Sequence, residues 1–334
     1  MKLIKVAIAG FGSIGQGVAR VIDMEQDFFK SNSYDVRVVA ISDSKSSIVN
    51  KDGLDIKKCL ETKKATRRLS DDNRTSLEII KEEEFDILIE ATPTDIETGG
   101  SGLENMKEAL KRKIHVITSN KGPLTVAFGE LTETAKQNGC ELKYEATVGG
   151  AMPVINLMRE MMAGNKINSI RGIFNGTCNY ILTRMYEEKS SYEDILTEAM
   201  ELGIAETDPS YDVDGIDTAC KVVILANSIF GMNKTIKDVK ITGITKITYE
   251  ALEMGAKEDK TIKLIGEVTR EGKLLVEPKL VPLGHPLAVS GTLNVAAINT
   301  NLAGEITVTG KGAGSIETAS AVLSDLLYVL KKNY

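Results

Sequence analysis

The sequence predicts an α/β fold class, a doubly wound parallel sheet followed by an α+β domain. Three observations carry this reading. Apolar strand-like runs alternate with helical patterns as far as residue 150. Gly10, Gly12 and Gly15 stand between the first such run and the first helical pattern. After Pro153 the order changes to helices and then closely spaced strand-like runs.

The first half alternates from its start. Lys5-Val-Ala-Ile-Ala9 is a short apolar run of the kind a buried parallel strand needs. Gly10-Phe11-Gly12-Ser13-Ile14-Gly15 follows at once, and Val18–Ile22 opens a helical pattern. Between strand and helix, G-x-G-x-x-G reads as a Rossmann-type dinucleotide turn. Gly10 serves the tight turn, Gly12 lets the backbone approach a pyrophosphate, and Gly15 lets helix and strand pack closely. The helix N-terminus then faces the phosphates. Val36–Ile41 is the second strand, ending in Ser42-Asp43-Ser44-Lys45. Asp43 is either a strand-end turn residue or an acid that grips the ribose hydroxyls of NAD, while Lys45 and Lys57 could accept the extra phosphate of NADP. Both chemistries lie close together, so the choice between NAD and NADP stays open.

Phe85–Ala91 is another buried strand, and it runs into Thr92-Pro93-Thr94 where such a sheet meets its cofactor. Leu103–Arg112 fits a helix. Ile114–Ile117 is a strand ending in Thr118-Ser119-Asn120-Lys121, which puts Ser119, Asn120 and Lys121 beside the cleft. Phe128–Asn138 is a helix closed by Gly139. Glu141–Val148 alternates toward a strand and breaks at Gly149-Gly150.

The second half begins with a helix over Pro153–Ala163 and a strand over Asn168–Phe174. Helices over Ile181–Glu188 and Tyr192–Leu202 lead to Gly203. Strand-like runs at Thr261–Thr269, Leu274–Val281, Leu293–Asn299 and Ile306–Thr309 predict a largely consecutive sheet, suited to pairing with a second copy. Gly314 precedes a last helix over Ala319–Lys331 and offers a second cofactor contact at a helix N-terminus. The resulting scheme is a dinucleotide-binding domain over 1–150, completed by 308–334, and a substrate-binding and dimerisation domain over 151–307.

Composition narrows the function. A length of 334 residues suits two domains. The net charge of −6, with no Lys/Arg block, argues against nucleic acid as the main partner. Cys59, Cys140, Cys178 and Cys220 form no C-x-x-C, which points to reduced thiols in a cytoplasmic protein. No run reaches the roughly 18 apolar residues of a membrane span.

The densest chemistry lies in Glu206-Thr-Asp208-Pro-Ser-Tyr-Asp212-Val-Asp214-Gly-Ile-Asp217-Thr-Ala-Cys-Lys221, which feeds straight into Val222–Ala226. Asp217 and Lys221 are four apart and share one helix face, as an ordinary salt bridge would. The helix is apolar beyond them. Burial lowers a lysine's pKa and an acidic neighbour raises it, so Lys221 is suited to an oxygen whose charge changes. The remaining acids suit a substrate ammonium; a solvated acidic turn is the plain alternative. An EF-hand is excluded, because setting Gly215 at its sixth position puts Lys221 where the bidentate acid belongs. The sketch is an amino alcohol or amino aldehyde, with carboxylates for its amine, a lysine at its reacting oxygen and a nicotinamide beside its carbon.

These motifs, taken with Glu145-Ala-Thr-Val148-Gly-Gly150, Asn175-Gly176-Thr177-Cys178-Asn179-Tyr-Ile-Leu182 and Gly312-Ala-Gly314, resemble homoserine dehydrogenase in order and over nearly the whole chain. The resemblance implies interconversion of L-homoserine and L-aspartate 4-semialdehyde with NAD or NADP, in threonine and methionine biosynthesis. It implies that Lys221 and Asp217 are the catalytic pair and that Lys121 also reaches the reacting oxygen. It assigns Glu206 and Asp212, with Asn175, Gly176 and Thr177, to the substrate. A Na+ or K+ site would map to the Glu145 side chain and the carbonyls of Val148, Gly150 and Met152. A homodimer is expected, without a C-terminal ACT-type regulatory domain. Cys178 stands where the family more often has Thr, and Ile204 where some members have Tyr. Two rivals remain on the residues. One is a semialdehyde dehydrogenase with Cys178 as nucleophile, which needs a base near the thiol. The other is a cofactor-binding regulator without catalysis.

Overall fold

The computed structural model describes residues 1–334. The chain divides into two compact units, Met1–Thr147 with Gly314–Tyr334, and Val148–Ala313. The return to the first unit thus comes at Gly314 and not at 308, because the last strand of the second unit runs on through Lys311.

The first unit is built from β1 (Lys2–Ala9), α1 (Ser13–Met24), α2 (Gln26–Ser31), β2 (Tyr34–Ser42), β3 (Ser47–Val49), α3 (Ile56–Thr66), α4 (Ser76–Glu82), β4 (Ile87–Glu90), α5 (Gly100–Lys111), β5 (His115–Thr118), α6 (Lys121–Asn138) and β6 (Leu142–Lys143). Its strands lie in the order β3-β2-β1-β4-β5-β6. From β2 to β6 every neighbour is parallel, and β3 folds back antiparallel on β2. The central strands are mostly apolar because both faces are covered. Ile4, Val6, Ile8, Ile87 and Ile89 are at most 1% exposed, in one core with Val18 and Ile22 of α1.

Two local rules account for departures from the expected elements. Glu141–Val148 yields only a two-residue β6, because Thr147 turns back onto the Tyr144 carbonyl through both its amide and its hydroxyl, at 3.0 and 2.7 Å. A side chain that satisfies the backbone locally competes with a strand. The helix expected from Phe128 is present, but non-helical backbone at Ala127 (φ −137) separates it from a further helical segment that starts at Lys121, where Asn120 caps it by accepting from the Gly122 amide at 3.0 Å.

The second unit contains α7 (Val154–Asn156), β7 (Ile167–Ile173), α8 (Gly176–Glu188), α9 (Tyr192–Glu201), α10 (Ser210–Val213), α11 (Ile216–Phe230), β8 (Lys240–Ile241), α12 (Tyr249–Ala256), β9 (Lys260–Thr269), β10 (Leu274–Pro282), β11 (Leu293–Thr300) and β12 (Glu305–Lys311). The helix expected over Pro153–Ala163 is instead the short α7 and a π-helical turn over Leu157–Met161. The sheet order is β12-β11-β7-β9-β10-β8, antiparallel except for β8 beside β10. The expected consecutive sheet is therefore corrected: β9–β10 and β11–β12 are local hairpins, and β7 enters between them. At its centre Gly172 of β7 pairs with Gly266 of β9. A Cβ on Gly266 would lie 2.8 Å from Thr218 and 3.0 Å from Val222, both on α11. The missing side chain lets α11 lie close against the sheet.

The last helix, α13 (Ser315–Asn333), belongs to the first unit and starts four residues before the expected Ala319. Its Val322, Leu326 and Val329 enter the same core as β1 and α1. No helix is long and apolar enough to cross a membrane.

Candidate active site

The glycine turn has the geometry its spacing predicts. Gly10 has φ +92, and a Cβ there would overlap the Ala91 carbonyl. A Cβ on Gly15 would overlap the Gly10 carbonyl. Gly12 differs, since nothing lies within 4 Å of where its Cβ would be. Its backbone is therefore open to a ligand, and it caps α1 without any side chain. Phe11 is buried beneath the turn, while Ser13 and Ile14 begin the helix. The N-terminus of α13 adjoins the same turn. Ser315 Oγ donates to the Ser13 carbonyl at 2.6 Å, and Gly314 caps α13 with φ +128. Two helix N-termini thus stand side by side, each favouring an anion.

At the ends of β4 and β5 the turns are held by Glu90, which the motif reading passed over. Its carboxylate is fully buried and accepts from the Thr92 amide at 2.8 Å and from Asn105 Nδ2 at 3.0 Å. Burial raises its pKa; bonds from Thr92, Asn105 and Asn120 act the other way. Asn120 Nδ2 also reaches Thr92 Oγ1 at 3.2 Å and the Pro93 carbonyl at 3.3 Å. Thr94 is exposed, Ser119 is half-buried, and Lys121 starts α6. A buried acid after an apolar strand was the available signal.

Asp43 is engaged within its own loop. Oδ1 accepts from the amides of Lys45 and Ser46 at 2.8 and 3.1 Å, and Oδ2 pairs with Lys63. Ser44 and Lys45 are exposed. The acid stands at the strand end, where these bonds hold the turn.

In the second unit the predicted residues converge. Asp217 and Lys221 lie on α11 at 6% and 7% exposure, with Nζ 2.6 Å from Asp217 Oδ2. Lys221 also donates to the Phe174 carbonyl at the end of β7. Asn175 ties the neighbouring acids together. Its Nδ2 donates to Asp212 Oδ1 at 2.6 Å and to Asp217 Oδ2 at 2.9 Å. Its Oδ1 accepts from the Cys178 amide at 2.8 Å, which caps α8. Gly176 and Thr177 form the first turn of α8, and Thr177 Oγ1 donates to the Ile204 carbonyl at 3.1 Å. Burial raises the Asp212 carboxyl above its ordinary range, as does the nearby Asp217. Glu206 is exposed on the loop before α10, and Asp208 folds that loop by accepting from Ser210 Oγ at 2.6 Å. Asp214 is exposed where α10 ends.

Cys178 is fully buried, and its Sγ donates to the Asp212 carbonyl at 3.2 Å. Burial, with Asp212 and Asp217 close by, pushes its thiol well above the ordinary range. A thiolate is disfavoured there, so the cysteine-nucleophile rival has no support from this site. Of the residues expected to hold a cation, Glu145 is buried at the start of a 3₁₀ turn, and its amide donates to Asp325 at 2.8 Å. Val148 and Met152 are buried, and Gly150 has φ +59.

Comparison with known proteins agrees with the geometry. The family model for the homoserine dehydrogenase NAD-binding domain matches residues 10–145, and that for homoserine dehydrogenase matches 153–327. The homoserine dehydrogenase of Methanocaldococcus jannaschii is 52% identical over 329 residues, covering 97% of this chain and 98% of its own. A crystal structure of a putative homoserine dehydrogenase from Archaeoglobus fulgidus is 50% identical, with TM-score 0.92 over 98% of this chain and 99% of its own. A hyperthermophilic archaeal homoserine dehydrogenase in complex with NADPH is 30% identical, with TM-score 0.87 over 99% of both chains. A glycine turn open to a dinucleotide, a buried lysine–aspartate pair and matches along both units lead to one conclusion: this chain belongs to the homoserine dehydrogenase family.

Proposed function

We propose that the chain oxidises L-homoserine to L-aspartate 4-semialdehyde with NAD or NADP, and runs the reverse reduction, using the residues assembled above. The observation that carries the assignment of roles is the buried Asp217–Lys221 pair, tied through Asn175 to Asp212. Oxidation removes a hydride from the hydroxyl-bearing carbon and a proton from its oxygen. Lys221 and Lys121 are assigned to that oxygen, and Asp217 to fixing the Lys221 ammonium. Glu206 and Asp212 are assigned to the substrate ammonium, and Asn175, Gly176 and Thr177 to shaping the pocket. Glu206 is suited to this role because its carboxylate is exposed.

The dinucleotide is assigned to the first unit, at Gly10–Gly15, Asp43–Lys45, Thr92–Thr94, Ser119–Lys121 and Gly314. When bound, the nicotinamide supplies the hydride acceptor. The open face of Gly12 and the paired helix N-termini support a pyrophosphate there. A monovalent cation, Na+ or K+, is assigned to Glu145 with the carbonyls of Val148, Gly150 and Met152. One carboxylate among neutral oxygens fits a hard cation of low charge. The active protein is assigned as a homodimer.

The test is cofactor reduction by purified protein with L-homoserine, run with NAD and NADP separately. Absence of turnover with both would refute the reading. Measuring activity in Na+, K+ and tetramethylammonium buffers tests the cation.

A further inference from the structure

Beyond these residues, the second unit buries another cation. Lys263 on β9 is 2% exposed, inside the apolar run Ile262-Lys-Leu-Ile265. Its Nζ donates to Asn179 Oδ1 at 2.9 Å and Thr183 Oγ1 at 3.2 Å. Both partners are neutral, so the charge is desolvated without a contacting counter-ion, a costly arrangement. A core that only needed volume would hold Met or Leu there.

The position of the two acceptors shows what the lysine controls. Asn175, Asn179 and Thr183 are four residues apart and lie on one stripe of α8 and its cap. Asn175 is the residue that bridges Asp212 and Asp217. Asn179 Nδ2 donates onward to the Leu293 carbonyl at 3.0 Å. A Cβ on Gly176 would lie 2.7 Å from the adjacent Thr292 carbonyl, so the first turn of α8 sits hard against the start of β11. Lys263 thus grips the stripe one and two turns below Asn175, and Asn179 ties that grip to the sheet.

We propose that Lys263 is a positioning residue for the substrate pocket: by holding Asn179 and Thr183 it fixes the rotation of α8, and with it the Asn175 amide that orients Asp212 and Asp217. The proposal rests on the assignment of the Asn175 cluster to the substrate. Burial brings the lysine's pKa down to about 8, and Glu187, four residues past Thr183 on α8 and half exposed, opposes the shift. The other charged groups on neighbouring elements are Arg184 and Glu188 on α8, paired at 2.8 Å, Glu277 and Lys279 on β10, the latter paired with Glu267 at 2.6 Å, Glu250 and Glu253 on α12, Asp217 and Lys221 on α11, and Arg171 on β7. As pH rises through the Lys263 pKa, the grip on Asn179 loses its charge assistance.

The experiment compares wild type with Lys263→Met, Asn179→Asp and Asn175→Ala. KM and kcat for L-homoserine are measured from pH 6.5 to 10, with NAD(P)H affinity and thermal melting as controls. Lys263→Met is expected to raise KM by about tenfold to a hundredfold through misplacement of pocket groups. Its kcat should stay within about threefold, and cofactor affinity should be unchanged. The wild-type KM profile should bend near the Lys263 pKa, and Lys263→Met should lack that bend. Asn179→Asp gives Nζ a carboxylate and should move the bend about one unit or more to higher pH. If Lys263→Met does not fold, the Asn179→Asp profile decides alone. A bend that neither variant moves overturns the proposal. Asn175→Ala separates the two readings: unchanged KM in that variant refutes the pocket assignment itself, whereas raised KM there with wild-type behaviour of the other two refutes only the role of Lys263.

Discussion

Replacing Asp217 by Asn tests the buried pair most directly. The side chains of Asp217 and Lys221 are 8% and 9% exposed and 2.6 Å apart, so solvent screens them little. Asp217 Oδ2 accepts from both Lys221 Nζ and Asn175 Nδ2. The amide carries one oxygen and one NH2, and the NH2 has no acceptor among those two donors. Breaking a buried pair from one side costs about 3–5 kcal/mol, mostly the uncompensated charge left behind. For a unit of this size that corresponds to a fall of about 10 °C in its melting transition. The double variant Asp217→Asn/Lys221→Met removes both charges and should regain most of that loss, because the two effects are not additive for contacting residues. Activity should not return: Asp217→Asn, Lys221→Met and the double variant should all lose about 10³-fold or more in kcat/KM, as residues acting together do. Circular dichroism melting and initial rates of cofactor reduction on the same preparations suffice. Strictly additive destabilisation would refute the coupling, and a double variant with appreciable turnover would refute the catalytic role.

Gly12→Ala should fold with wild-type stability, since its Cβ meets no protein atom, yet lose about tenfold or more in NAD(P)H affinity by fluorescence titration. Gly15→Ala should lose stability as well, because its Cβ overlaps the Gly10 carbonyl. Cys178→Ser should retain turnover with L-homoserine; its complete loss in a folded variant would revive the nucleophile reading. Asp212→Asn should weaken homoserine binding while raising the melting temperature at pH 7. The sign follows from the raised folded pKa of Asp212. Above the ordinary aspartate range the folded state holds the proton longer than the unfolded chain, so this group's contribution is fullest at low pH and is lost as pH rises through the folded value. An amide there removes that loss, so an unchanged melting temperature at both pH 4 and pH 8 would contradict it.

What could be read from the residues depended on how local the cause was. The turn at Gly10–Gly15 was legible because Gly10 and Gly15 answer to backbone contacts with the next strand or within the turn, while Gly12 faces open space. The Asp217–Lys221 pair was legible from helix spacing alone. The hub role of Asn175 was not, because its acceptors lie 37 and 42 residues further along. Lys263 was hidden for the same reason, with partners 84 and 80 residues away, although a lysine inside an apolar strand was a visible anomaly. The entry of β7 between two hairpins was illegible, since strand-like runs carry no record of which non-local neighbour they choose. Asp43 was found at its strand end, but its pairing with Lys63 depends on where α3 packs.

The placement of α13 bears on how the protein comes into being on the ribosome. Val322, Leu326 and Val329 supply core to the first unit, and Asp325, fully buried, accepts from the Glu145 amide. That unit's parallel sheet is synthesised first, and the helix that seals it only after the whole second unit. Until α13 emerges, the nascent sheet has an uncovered apolar face, while the second unit already holds all its strands. Vectorial synthesis therefore completes the later unit before the earlier one, and the nascent chain needs shielding until α13 docks. Stalled chains ending before Gly314 should be protease-sensitive within the first unit and protected within the second.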